Sequence, residues 1–108
     1  MLNILLSCGQ GFSSGFIANS MRKAAKSKLV EATIKAVGDI EVPDAIKSNS
    51  VDIVLLGPHI KYKLQEFEDL AAQSNSSVII AVMDQKNYSQ MNGAAILKDA
   101  LELYENSK

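Results

Sequence analysis

Three short apolar runs, separated by longer stretches with helical periodicity, constrain the fold of this chain most strongly. The runs cover residues 2–6, 51–56 and 78–83 and consist largely of Leu, Ile and Val. Each has the length of a strand, and none alternates regularly between apolar and polar positions. We therefore expect three strands that are buried on both faces, as in a parallel sheet. Residues 29–37 do alternate, which predicts a fourth strand with one wetter face at an edge of the sheet.

Apolar side chains at helical spacing occupy the stretches between these runs. Ser13 or Ser14 is expected to cap the first helix. Residues 42–47 are expected to form a short helix, with Pro43 tolerated at its first position. The apolar positions that predict the three longer helices are Phe16, Ile17, Met21, Ala24 and Ala25, then Ile60, Leu64, Phe67 and Ala71, and finally Ala94, Leu97, Leu101 and Tyr104.

The alternation of strands and helices predicts an α/β fold. We expect one domain over residues 1–108, a doubly wound four-stranded parallel sheet with helices on both faces. The edge-like second strand and the buried runs favour the strand order 2-1-3-4. In such sheets the ligand lies outside the carboxyl ends of the strands, where the strand order reverses. That position is the end of the first strand.

Charge and cysteine content exclude several classes of function. The 108 residues include 11 basic and 12 acidic side chains, a formal net charge of −1, which lacks the basic footprint of a nucleic-acid binder. A single cysteine excludes an internal disulfide and a multi-cysteine metal site, and it suits a reducing compartment. No run has the length of a membrane span or of a secretory signal. We expect a cytoplasmic monomer without a metal or a cofactor.

The segment after the first predicted strand has the composition of an anion-binding loop. Cys8 is followed by a stretch rich in Gly and Ser that leads into the first predicted helix. Small residues allow backbone N–H groups to converge on an anion, and the start of a helix adds further free N–H groups. The same surroundings favour the thiolate of Cys8, which is the nucleophilic form. This arrangement suits the transfer of a phosphoryl group to sulfur.

A lone cysteine in a small domain is more often a buried apolar residue than a nucleophile. The placement of Cys8, at the predicted ligand-binding edge and at the start of the loop, favours the nucleophile. With no Arg or Lys between Cys8 and Met21, we expect the loop to bind phosphate chiefly through main-chain donors. We also expect Phe12 and Phe16 to be exposed around Cys8, where partner proteins would contact them.

Motifs along nearly the whole chain resemble one bacterial family. They are the cysteine loop, Met21-Arg22 on the first helix, the strand ending at residues 52–58, Tyr88, and Asn92-Gly93. On these residues the chain resembles the enzyme IIB component of the lactose/cellobiose type in the phosphoenolpyruvate-dependent sugar phosphotransferase system. His59 departs from the family, in which a glutamine commonly follows the Gly-Pro pair.

The resemblance implies a protein-phosphohistidine–sugar phosphotransferase with a phosphocysteine intermediate. Cys8 would accept the phosphoryl group from a phosphohistidine of the partner IIA protein. It would then pass the group to a sugar of the cellobiose, lactose or chitobiose type, bound in the membrane transporter IIC. The resemblance also implies that the phosphate-binding residues are Gly9, Gln10, Gly11, Phe12, Ser13, Ser14 and Gly15.

Two alternatives for Cys8 and several weaker candidates stay open at this point. A phosphatase of the low-molecular-weight type has an arginine where this chain has Ser14, and an Asp-Pro pair that this chain lacks. A redox-active or inert cysteine domain is the other alternative. His59 is interpreted preferentially as an exposed loop residue, and Tyr88 equally as a loop or a pocket residue. The scattered carboxylates Asp52 and Asp84 are interpreted as turn residues rather than metal ligands.

Overall fold

The predicted sheet topology is confirmed. The computed structural model describes residues 2–8 and 12–107, and at residues 12–14 the backbone alone. It contains a parallel four-stranded sheet in the order β2-β1-β3-β4. The strands are β1 (Leu2–Ser7), β2 (Ala32–Val37), β3 (Ile53–Leu56) and β4 (Ile79–Val82). The central pair, β1 and β3, ends in register at Ser7 and Leu56, so the segments that follow these two strands start side by side.

Helices connect the strands and cover both faces of the sheet. They are α1 (Phe12–Ser27), α2 (Val42–Ser48), α3 (Leu64–Gln73), α4 (Gln85–Ser89) and α5 (Gly93–Asn106). Two 3₁₀ segments, Asp39–Glu41 and Pro58–Lys63, lead into α2 and α3. Helix α4 lies where the sequence predicts no helix, because five residues are too few to show a period. Its start is capped by the Asp84 carboxylate, which accepts from the Asn87 amide at 3.0 Å.

Two cores, one on each face, explain why the first apolar run does not alternate. Ile4 and Leu6 face α1 and α5, whereas Leu5 faces α2 and α3. Met21 of α1 and Phe67 of α3 are almost completely buried in the respective cores. Burying an aliphatic or aromatic side chain of this size contributes about 1.5–3 kcal/mol, so helices on both faces stabilise the sheet. The α/β fold with helices on both faces is confirmed.

The outer strands differ from the sequence-based expectations. Strand β2 begins at Ala32, since Leu29 lies in the turn that ends α1, with a φ of 57° and 90% of its surface exposed. Strand β4 is half-buried along its length, so the prediction that it is buried on both faces is wrong. The reason is its position in the sheet, because β4 pairs only with β3 and forms the second edge.

Two predictions for α1 also need correction. The helix begins at Phe12, so Ser13 and Ser14 lie within its first turn and not before it. Phe16 is 68% exposed, which confirms the exposure expected near Cys8, but its predicted place on one face with the buried Ile17 is wrong. Adjacent residues of a helix point about 100° apart, and the buried face follows Ile17, Met21 and Ala25. The side chain of Phe12 lies outside the described residues. In the described part of the chain, no helix combines the length and the apolar character needed to cross a bilayer.

Candidate functional site

Cys8 lies where a doubly wound sheet places its ligands. It directly follows β1, which has β2 on one side and β3 on the other, so the strand order reverses at this position. Cys8 keeps 5% of its surface exposed. Helix α1 begins at Phe12, shortly after Cys8 in the chain. The N–H groups of a first helical turn have no partner within the helix, so the start of α1 can donate to an anion.

Gly57, the residue after β3, packs directly against Cys8. Its amide donates to the Ser7 carbonyl at 2.7 Å. A methyl group added at Gly57 would lie 2.9 Å from the Cys8 Cβ and 3.2 Å from its Cα. The φ of Gly57 is −64°, which any residue can adopt. Glycine is therefore required here by the close approach of the two chain segments and not by the backbone conformation.

The side chain of His59 is hydrogen-bonded to the main chain of Cys8. Its Nε2 lies 2.6 Å from the Cys8 carbonyl oxygen. A carbonyl oxygen can only accept, so the Nε2–H of His59 is the donor. The imidazole also contacts the ring of Tyr88 on α4, with centroids 5.8 Å apart and an angle of 51° between the planes. His59 is exposed, as the sequence predicts for a loop residue, but the bond to Cys8 makes it part of the site.

Ser7, the last residue of β1, buries a hydroxyl group next to Cys8. The residue is completely inaccessible, and its Oγ has no hydrogen-bond partner among the residues that the structure describes. Leaving such a hydroxyl unpaired costs about 1–3 kcal/mol. The main chain of Ser7 is paired, since its carbonyl accepts from Gly57. Sequence patterns do not reveal this group, because a serine at the end of a strand is ordinarily solvated.

The predicted phosphate-binding residues fall into two groups. Gly9, Gln10 and Gly11 lie outside the described residues. The remaining members, Phe12, Ser13, Ser14 and Gly15, form the first turn of α1. Gly15 is exposed, and a methyl group added there would meet no atom within 4 Å. Packing therefore does not require glycine at position 15.

The two carboxylates that the sequence analysis considered, Asp52 and Asp84, accept hydrogen bonds from backbone amides. Asp52 accepts from the Asn3 amide at 2.7 Å, before β3 begins. Asp84 caps α4. Across residues 2–8 and 12–107, no three or more His, Cys, Asp or Glu side chains are grouped so that they could hold a metal ion.

Large apolar side chains are exposed on the connections that leave the carboxyl ends of all four strands. Phe16 follows β1 and is 68% exposed, and Ile40 follows β2 and is 84% exposed. Tyr62, after β3, is 73% exposed, and Met91, after β4, is 45% exposed. We call these four residues the apolar rim. Exposed apolar groups that share one end of a domain are typical of surfaces that contact other proteins.

Comparison with known proteins identifies the family. The family model for the lactose/cellobiose-specific IIB subunit of the PTS system matches residues 3–99. The chain belongs to this IIB family. The resemblance drawn from the sequence is therefore confirmed, and the chain is a IIB component of the lactose/cellobiose type in a sugar phosphotransferase system.

Individual IIB proteins support the same assignment. The oligo-beta-mannoside-specific EIIB component of Bacillus subtilis (strain 168) is 31% identical over 106 residues, which cover 98% of this chain and 99% of that protein. The cellobiose-specific IIB component of Borrelia burgdorferi is 29% identical with a TM-score of 0.77, covering 99% of this chain and 94% of that chain. The lactose-specific IIB domain of Streptococcus pneumoniae shares the fold, with a TM-score of 0.80 at 18% identity over 94% of this chain and 95% of that chain.

Proposed function

We propose that this IIB chain is a phosphocarrier that holds the phosphoryl group on Cys8. The observation that carries the proposal is the position of Cys8 in a IIB protein. It is the first residue after the central strand β1, at the reversal of strand order and shortly before the start of α1. A nucleophile at this place meets an anion at the edge of the sheet that α/β proteins use for ligands.

Two substitutions at phosphorus make up the proposed reaction. In the first, the Cys8 thiolate attacks the phosphorus of a phosphohistidine on the IIA protein. The P–S bond forms, the P–N bond breaks, and its electron pair stays on the imidazole nitrogen, which takes a proton from solvent. In the second, a hydroxyl oxygen of a sugar bound in the IIC transporter attacks the same phosphorus. The P–O bond forms, the hydroxyl proton is released, and the thiolate leaves.

Main-chain groups bind the phosphoryl group in this proposal. Residues 9–15 supply the donors, the last of them from the first turn of α1. No Arg or Lys lies between Cys8 and Met21. A phosphatase of the low-molecular-weight type clamps phosphate with an arginine and protonates its leaving group with an acid. Without that pair, a phosphocysteine persists until an acceptor arrives, which is what a carrier requires.

The apolar rim is the proposed contact surface for both partners. Phe16, Ile40, Tyr62 and Met91 lie on the connections at the edge that carries Cys8, so a protein that reaches the sulfur contacts them. The chain acts as one domain and as a monomer in the cytoplasm, where it meets IIA and the inner face of IIC in turn. The solved and curated relatives are named for oligo-beta-mannoside, lactose and cellobiose, and we propose a sugar of the cellobiose, lactose or chitobiose type.

Mass spectrometry after incubation with a phosphorylated IIA protein tests the proposal. We expect the wild-type chain to gain one phosphoryl group on Cys8, and Cys8→Ser to relay no phosphate to sugar. Without a sugar acceptor the phosphorylated form should persist, whereas a phosphatase would release inorganic phosphate. A Cys8→Ser protein that transfers phosphate at the wild-type rate would refute the assignment.

The burial of Cys8 favours a second candidate, a domain in which this cysteine is inert. With 5% of its surface exposed, Cys8 also fits the habit of cysteine as a small core residue. The rate of alkylation by iodoacetamide separates the two candidates. A nucleophilic Cys8 reacts in the native chain at least as fast as a free thiol, whereas a core cysteine reacts only as the chain unfolds.

A further inference from the structure

Two hydrogen bonds from the segment after β3 hold the main chain on both sides of the Cys8 Cα atom. The Gly57 amide donates to the carbonyl of Ser7 at 2.7 Å, and the His59 side chain donates to the carbonyl of Cys8 at 2.6 Å. These two carbonyls belong to the peptide groups that enter and leave Cys8. Since a peptide group is planar, a bond to each carbonyl restricts the orientation of both planes.

The imidazole that makes the second bond is itself held in place. Pro58 sets the start of the 3₁₀ segment, and the Ile60 amide donates back to the Gly57 carbonyl at 3.0 Å. Ile60 is 4% exposed and anchors the segment in the core between the sheet and α3. On the other side, the Tyr88 ring lies against the imidazole. The His59 ring therefore contacts Cys8 while Ile60 anchors its chain segment and Tyr88 packs against the ring itself.

We propose that His59 is a positioning residue for phosphoryl transfer at Cys8. The inference rests on the proposed function, because it assigns His59 a part in that reaction. His59 contacts the carbonyl of Cys8 and acts on the reaction through the main chain. The His59 bond holds the peptide group that follows Cys8, where the phosphate-binding loop starts. Together with the Gly57 bond, it holds the backbone that determines the direction of the Cys8 side chain. Small displacements of a reacting group lower transfer rates steeply, so the loss of this bond should appear in the rate.

The bond requires a particular protonation of the imidazole. Because the Cys8 carbonyl only accepts, the proton must be on Nε2 of His59. A glutamine side chain can present an N–H donor to the same carbonyl. Phenylalanine retains a ring that can pack on Tyr88 but has no donor. The pair His59→Gln and His59→Phe therefore separates the hydrogen bond from the ring contact.

Single-turnover transfer from a phosphorylated IIA protein, over a range of IIA concentrations, is the kinetic test. We expect His59→Phe to lower the maximal rate on the order of tenfold with little change in the half-saturating IIA concentration. His59→Gln should restore the rate to within about twofold. Thermal unfolding of each variant, with Lys47→Met as a control at the far end of α2, verifies that the variants are folded. Equal maximal rates for wild type and a folded His59→Phe would overturn the proposal.

A second measurement does not depend on the transfer reaction. Long-range ¹H–¹⁵N NMR of the unphosphorylated chain reports which nitrogen of His59 carries the proton. We expect a protonated Nε2, with a cross-hydrogen-bond coupling to the Cys8 carbonyl carbon that is absent in His59→Phe. A neutral ring protonated on Nδ1 would overturn the positioning role while leaving the phosphocarrier proposal intact. A wild-type chain that gains no phosphate, with Nε2 protonated, would instead refute the proposed function.

Discussion

The two ends of the sheet are built differently. At the amino end, Asp52 joins three strands. Its carboxylate accepts from the Asn3 amide at 2.7 Å, its own amide donates to the Asn3 carbonyl at 2.8 Å, and its carbonyl accepts from the Ile79 amide at 2.9 Å. The Ser76 hydroxyl bonds to the Asn49 side chain close by, at 3.1 Å. These polar groups at the amino end are matched within the chain.

The carboxyl end leaves more of its groups unmatched. Ser7 buries a hydroxyl without a partner among the described residues, and the apolar rim is exposed. The amino end also exposes two leucines, Leu29 after α1 and Leu103 in the last turn of α5, but not a set that leaves every strand. Hydrogen bonds within the chain stabilise the amino end of the sheet, whereas the carboxyl end leaves surface available to contact a partner protein or an anion. Changes in the residues that contact Cys8 at the carboxyl end should therefore affect transfer, and changes at the amino end should affect stability.

Gly57→Ala at the carboxyl end should have the largest effect. The added methyl group would lie 2.9 Å from the Cys8 Cβ and 3.1 Å from the His59 Cε1, so one of the two segments must move. We expect transfer from phosphorylated IIA to fall about 100-fold, because the displaced atoms include those of the nucleophile. Overpacking should also lower the free energy of unfolding by about 1–3 kcal/mol.

If transfer by Gly57→Ala falls only in proportion to the unfolded fraction, the substitution acts on stability, and the division between the two ends is wrong at this site. Rapid-quench kinetics and urea unfolding on the same preparations separate the two quantities. A variant that is mostly folded at the assay temperature yet transfers at the wild-type rate would show that the contact between Gly57 and Cys8 has no functional role.

Asp52→Ala at the amino end should show the opposite pattern. The change removes the acceptor of the half-buried Asn3 amide and leaves that donor unpaired. We expect the free energy of unfolding to fall by about 2 kcal/mol, since the acceptor is a carboxylate. Transfer per folded molecule should not change. Asp52→Asn keeps an acceptor oxygen and should lose less than about 1 kcal/mol. A fall in transfer in either variant, beyond the unfolded fraction, would contradict the division between the two ends.

Much of this architecture follows from local patterns in the sequence. The apolar runs, the helical periods and the edge-like pattern of β2 suffice for the strand order, although the run that forms β4 has the pattern of a central strand. The position of Cys8 follows from the same pattern. The pattern did not distinguish Phe16 from Ile17, since both are apolar and only the packing of α1 decides which is buried. The half-burial of β4 depends likewise on its place at the edge.

The contacts around Cys8 could not be predicted in the same way. Gly57 and His59 are distant from Cys8 in sequence, and they meet it because β1 and β3 pair with Ser7 opposite Leu56. The Gly-Pro pair after the run at residues 51–56 was the available signal, since a glycine directly after a buried strand often marks a close backbone approach. A prediction of the register would have placed residues 57–59 beside Cys8. Sequence patterns fix the faces of strands more readily than their register.

Lys63→Met should have the smallest effect, because it removes a partly exposed ion pair at the carboxyl end. Lys63 Nζ lies 2.7 Å from the Asp39 carboxylate, and both side chains are 24% exposed. The hydrogen bond from Lys63 holds the pKa of Asp39 below its ordinary value of 3.8, and the same bond raises the pKa of Lys63 above 10.5. The folded chain therefore binds the Asp39 proton more weakly and the Lys63 proton more tightly than the unfolded chain does.

The lowered pKa of Asp39 and the raised pKa of Lys63 determine how the stability of the fold depends on pH. The pair stabilises the fold fully between pH 3.8 and 10.5, and its contribution is lost as the pH falls through the lowered pKa of Asp39 or rises through the raised pKa of Lys63. We expect Lys63→Met to lower Tm by about 1–2 °C near neutral pH, since solvent screens exposed pairs. Calorimetry at pH 7 and pH 2.5 measures the effect, and the difference from wild type should shrink at the lower pH. A difference that is equally large at both values would show that Lys63 stabilises the segment through its contact with the Phe67 ring, 6.0 Å from its Nζ, and not through Asp39.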